Sequence, residues 1–112
     1  MNHRSERERM RLAAARTLGV LKSLANEDRL LLLCHLSQHE SSVGELASAL
    51  GIVQPTLSQQ LGVLRRKKMV ATRREGKQIF YRIGDPDIVV LLKTLYQLYC
   101  PGPAEEGVGN DH

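Results

Sequence analysis

Apolar residues recur at helical spacing in several segments of the chain, and the polar residues between them change in kind from one segment to the next. Ser5 with Glu8 three residues on has the pattern of a capping box, opening a first helix through Ala13, Ala14, Leu18 and Leu21 to about Leu24. Asn26 then caps a second helix, with Glu27 and Asp28 in its first turn, where acids favour the positive end of the helix dipole. Leu30 to Leu33, Cys34 and Leu36 make this helix apolar almost all round, which marks it as central to the core. Ser41 and Ser42 offer caps for a short third helix with Leu46, Ala47 and Leu50 inward. It ends at Gly51, because glycine is favoured in a left-handed cap.

In the segment QPTLSQQLGVLRRKKMV, residues 54–70, Leu57, Leu61 and Leu64 share one stripe and everything else is mainly amide, hydroxyl or cation. Pro55 suits the first turn of this fourth helix, where its missing N–H has no partner in any case. A short helix, a glycine turn and a helix with a polar outer face make a helix-turn-helix. Val70 to Arg74 and Gln78 to Ile83 follow as β-branched and aromatic runs around Glu75-Gly76-Lys77, which predicts a hairpin with basic flanks. The expected fold is therefore mainly α with a β-hairpin wing, a winged helix-turn-helix. From Asp85, with Pro86 in the first turn, a last helix carries Ile88, Leu91, Leu92, Leu95 and Tyr99 on one stripe and ends at Cys100-Pro101. Residues 1–100 read as one DNA-binding and dimerisation domain, and the Gly- and acid-rich stretch 101–112 as a disordered tail. Two long amphipathic terminal helices on so small a domain predict a homodimer, with its recognition helices about one turn of DNA apart.

Composition narrows the partner. The chain has 112 residues, 42% hydrophobic, with one Phe and no Trp, so a single core of aliphatic side chains is expected. The formal net charge is +4, yet the segment from Arg65 to Lys77 holds seven cations (Arg65, Arg66, Lys67, Lys68, Arg73, Arg74, Lys77) against one acid, Glu75. A basic face this concentrated points to a polyanion. The polar start, which alternates Arg and Glu up to Arg11, lacks the apolar core of a secretion signal, and no apolar run is long enough for a transmembrane helix. A cytoplasmic location is expected. There two cysteines so far apart in sequence, Cys34 and Cys100, read on residues alone as small buried hydrophobes rather than a staple.

Helix geometry sorts the polar face. With the leucines inward, Thr56, Gln59 and Arg66 lie on or near the opposite side, while Gln54 and Ser58 sit near the start and flank. Glutamine can be bidentate to adenine, and Ser or Thr can serve a base or a phosphate, so these residues are candidate DNA contacts, with Gln60 facing sideways. Arg73, Arg74 and Lys77 of the wing are expected on phosphates or in the minor groove.

Taken together, LANEDRLLLL, SVGELASALGIVQPTLSQQLGVLRRKKMV and TRREGKQIFYRI resemble the ArsR family of bacterial winged-helix repressors, over about Leu21 to Tyr99. The resemblance implies a homodimer that binds double-stranded operator DNA and releases it on a small inorganic signal. Many such proteins bind metal through Cys-x-Cys on the first helix of the reading motif or through Asp and His on the last helix. Here 42–50 has no Cys and 85–100 no His, while His35 and His39 supply only two of the ligands a stable site needs, so no metal or cofactor is expected. Cys34 in LLLLCHL and Cys100 in LYQLYC instead resemble the dithiol pair of the BigR and SqrR subgroup, whose members sense persulfides and related reactive sulfur. That resemblance implies a redox-sensing role for both. A peroxide sensor closing a plain disulfide is the alternative, since nothing in the sequence sets the length of the bridge. A thiol enzyme is disfavoured because neither cysteine has a Cys-x-x-Cys setting or a nearby base, and a winged helix that binds protein instead of DNA fits the basic face poorly.

Overall fold

The structure, a computed structural model, describes residues 3–99. The elements are α1 (His3–Leu24), α2 (Glu27–Leu36), β1 (Ser41–Ser42), α3 (Val43–Leu50), α4 (Gln54–Arg66), β2 (Val70–Glu75), β3 (Gln78–Ile83) and α5 (Pro86–Tyr99). Cys100 and the stretch 101–112 lie outside the described residues, and with them the expectation of a disordered tail.

Local chemistry sets most boundaries. The Asn26 side chain accepts from the Arg29 N–H at 3.0 Å and opens α2. At α3 a reciprocal capping box forms: the Glu45 N–H donates to Ser42 Oγ at 3.2 Å and the Ser42 N–H to Glu45 Oε1 at 2.9 Å. Gly51 closes α3 at φ 68° in the left-handed region, its N–H donating to the Ala47 carbonyl at 2.9 Å. The helix α4 begins after Val53 without a side-chain cap, with Pro55 in its first turn. It stops at Arg66, so Lys67 and Lys68 stand in the turn beyond it rather than on the helix, and Lys68 takes the left-handed conformation at φ 61°.

Two expectations need correction. The helix α1 is already under way at His3, so Ser5 and Glu8 lie within it instead of capping it. In addition, Tyr99 is 78% exposed and off the buried stripe of α5, which is carried by Ile88 and Leu92 with Leu91 and Leu95 beside them. The last turn of α5 therefore presents Leu98 and Tyr99 outward.

The sheet has order β1-β3-β2, antiparallel throughout. The hairpin pairs Val70 with Ile83 and Glu75 with Gln78 around a two-residue turn whose Gly76 has φ 64°. Sequence reasoning missed β1, because two serines carry no strand signal. They join the sheet by pairing with Tyr81 and Phe80 of β3.

The helix α2 is the centre of the domain, packing on α1, α3, α4, α5 and β3. Its Leu32, Leu33 and Leu36 are buried with Leu46, with Leu57, Leu61 and Leu64 of α4, and with Ile88 and Leu92 of α5. By contrast α1 leaves Met10, Leu12, Leu18 and Leu21 exposed. Apolar surface on both terminal helices thus remains exposed among the described residues.

Candidate nucleic-acid interface and the position of Cys34

Burial of Leu57, Leu61 and Leu64 fixes the rotation of α4 about its axis. At 100° per residue, Gln59 and Arg66 then point directly away from the core, and both are exposed. Gln54 and Ser58 are also exposed, while Thr56 and Gln60 are half-buried along one flank. Arg65 and Arg66 occupy the last turn, where cations suit the negative end of the dipole. Gln59 and Arg66 therefore share the outward face, with Ser58 on its flank and Gln54 exposed at the N-terminal end of the helix.

Gln60 differs. Its Oε1 accepts from Arg29 Nη1 at 3.0 Å, and the same guanidinium donates through Nε to the Ser23 carbonyl at 2.7 Å and through Nη2 to the Lys22 carbonyl at 3.3 Å. One arginine of α2 thereby ties the end of α1 to the recognition helix.

On the wing, neighbouring arginines separate because successive side chains of a strand point to opposite faces. Arg73 turns back onto the protein: Nε donates to Glu40 Oε2 at 2.8 Å and Nη1 to Glu75 Oε1 at 2.9 Å. The guanidinium also covers the ring of Phe80, its cross-strand partner. The hydrogen bond from Arg73 holds the Glu40 carboxyl below the usual range, and the bonds to Glu40 and Glu75 push the Arg73 guanidinium further up. Arg74 and Lys77 are exposed and form no ion pair among the described residues. The partners Arg29 and Glu40 escaped sequence reasoning, since contacts 31 and 33 residues apart leave no local signal.

Cys34 is half-buried on α2 and packs against the core, and its carbonyl accepts from Ser37 Oγ at 2.6 Å. Cys100 follows directly on Tyr99, the last residue of α5, and lies outside the described residues. The His35 and His39 rings stand 5.6 Å apart, with His35 Nε2 3.2 Å from Ser41 Oγ. Among the described residues no three His, Cys, Asp or Glu side chains are grouped to hold a metal ion, and no helix is long and apolar enough to cross a membrane.

Comparison with known proteins agrees with this architecture. Residues 26–72 match the model of the bacterial regulatory protein, arsR family. The chain is 56% identical over 81 residues to the biofilm growth-associated repressor of Agrobacterium fabrum, covering 72% of this chain and 69% of that protein. The crystal structure of the transcriptional repressor BigR from Xylella fastidiosa superposes with a TM-score of 0.77 at 49% identity, covering 84% of this chain and 93% of that one. Reduced HlyU from Vibrio cholerae gives 0.79 at 41% identity, covering 83% and 98%. A helix-turn-helix with a wing, a basic outer face and relatives of this similarity make the chain a DNA-binding transcriptional regulator, and it belongs to the arsR family of bacterial regulatory proteins.

Proposed function

We propose that this regulator represses by occupying operator DNA as a homodimer and lets go when Cys34 and Cys100 become bridged by reactive sulfur. Gln54, Thr56, Ser58 and Gln59 of α4 meet base edges or the adjoining backbone, Arg66 meets phosphate, and Arg74 and Lys77 reach phosphates from the wing while Arg73 anchors it. The exposed Met10, Leu12, Leu18 and Leu21 of α1, with Val90 and Leu98 of α5, support pairing with a second copy through the terminal helices. Repression accords with the name of the Agrobacterium fabrum and Xylella fastidiosa relatives.

The observation that carries the switch is the placement of α2. It bears Cys34 and packs on both the recognition helix α4 and α5, the helix that leads directly into Cys100. A bridge between the cysteines ties the core helix to the end of α5 and alters the spacing or tilt of the two recognition helices. Chemically, the Cys34 thiolate takes the outer sulfur of a small persulfide and releases its thiol; the new protein persulfide takes a second sulfur from another donor in the same way. The Cys100 thiolate then attacks the middle sulfur, expelling hydrogen sulfide and leaving a trisulfide. That one solved form of HlyU from Vibrio cholerae is distinguished as reduced accords with a redox change in that relative. The test is a salt-dependent gel shift with promoter DNA, with and without a persulfide donor. Wild type is released by the donor, whereas Cys34→Ser and Cys100→Ser bind DNA and stay bound; normal release of either variant contradicts the dithiol.

A further inference from the structure

The link between Arg29 and Gln60 decides which hydrogen bonds the recognition helix can offer. A guanidinium is a donor only, so the oxygen of the Gln60 amide must face Arg29 Nη1, and Nε2 with both its hydrogens points the other way. Arg29 cannot readily turn aside, because Nε and Nη2 are held by the carbonyls of Ser23 and Lys22 at the end of α1. The Gln60 side chain makes no other hydrogen bond among the described residues, and it stands one turn after Thr56 on the same flank of α4. We propose that Arg29 is the positioning residue that makes Gln60 present its amide N–H groups to DNA. A glutamine reads adenine by accepting from N6 and donating to N7 together. Arg29 occupies one of the two lone pairs of Oε1 and turns that oxygen toward α2, so Nε2 is the atom with which Gln60 leads, and it addresses an acceptor: a phosphate oxygen or the N7 and O6 of guanine. The placement of that donor depends on the end of α1, because the same guanidinium grips both. This inference rests on the reading of α4 as the DNA-contacting helix.

The full-length protein is put through binding selection from a pool of randomised duplex DNA at fixed salt, and the enriched duplexes are titrated with Gln60→Glu, Gln60→Met and Arg29→Gln. Gln60→Glu keeps an oxygen for Arg29, and a stronger one, but has no donor left; Gln60→Met removes the donors without adding charge. Both are expected to lose about tenfold in affinity with their melting temperatures near that of wild type. If the acceptor is guanine, the loss is confined to duplexes with guanine at one position per half-site, and Arg29→Gln broadens that position to adenine. If it is phosphate, the loss is the same on every sequence. Binding of both position-60 variants within about twofold of wild type overturns the donor role and leaves the contact a strut between helices. Failure of the wild type to enrich any duplex overturns this inference together with the DNA reading beneath it, so the two failures are told apart.

Discussion

The Arg73 guanidinium carbon lies 4.7 Å from the centroid of Phe80, the residue opposite it in the hairpin. Cation and ring face attract, and Glu40 and Glu75 hold the guanidinium at its edge, so the wing is fastened to the residue that precedes β1. Strand alternation leaves Arg74 on the other face. Two adjacent arginines that look equivalent in sequence thus divide into an anchor and a reaching cation.

The anchor has a pH dependence of known sign. The Glu40 carboxyl has a lower pKa in the folded protein than in the unfolded chain, so the bond is complete above the unfolded value and is lost as pH falls through the folded one. A carbon-detected NMR titration should place Glu40 below a free glutamate, and Arg73→Gln should return it to the ordinary range. Titration of Glu40 at the ordinary value in wild type contradicts the pairing. Because both groups are exposed, little change in melting temperature is expected from breaking it.

Lys68 is held at φ 61°, where a side chain is strained and glycine is not. Left-handed backbone costs a non-glycine residue about 1–2 kcal/mol, part of which is offset by the extra freedom glycine gives the unfolded chain. Lys68→Gly should raise stability by about 0.5–1 kcal/mol in urea unfolding. A loss of stability means that the lysine stem makes contacts that outweigh the strain.

Ser42 serves α3 twice, as cap and as a strand residue beside Phe80. Replacing a serine cap with alanine costs about 0.5–2 kcal/mol, and Ser42→Ala should fall in that range while Ser48→Ala, exposed on α3, stays within about 0.5 kcal/mol of wild type. Equal effects at both positions count against the capping box.

Gln59 and Arg74 should fail differently on DNA. Gln59→Ala is expected to lose about 1–3 kcal/mol on the operator with non-specific affinity nearly intact, as a base-reading residue does. Arg74→Ala should weaken binding on all sequences and reduce the salt slope by about 1. Unchanged operator affinity in both variants contradicts the docking of α4 and the wing.

The winged helix was legible because its signals are local. Leucines at 57, 61 and 64, the Ser42 cap, Gly51 and Gly76 each act within a few residues of themselves, and the structure uses every one. The open face of α4 followed from the same periodicity. What stayed hidden depends on distant partners: β1 exists only because β3 lies beside it, Gln60 is turned by an arginine 31 residues away, and Arg73 is taken up by Glu40. The start of α1 and the exposure of Tyr99 were also misread. Tyr99 lies on a terminal helix whose apolar residues outnumber the surface that covers them among the described residues, and at the start of α1 the spacing of Ser5 and Glu8 fits a helix interior as well as a cap.

The most direct measurement of the proposed switch combines intact-protein mass spectrometry with operator binding on the same samples. After treatment with glutathione persulfide, the account predicts a monomer-mass product, heavier than the plain disulfide by one or two sulfur atoms, that maps to Cys34 and Cys100. That product has lost operator affinity, and reduction restores it. Peroxide at matched dose should release the protein more slowly if the two thiols stand beyond the reach of a plain disulfide. Release without any linkage between Cys34 and Cys100, or equal release by peroxide with a simple loss of two hydrogens, would contradict sulfur sensing, and the second outcome would establish a peroxide-responsive disulfide in its place.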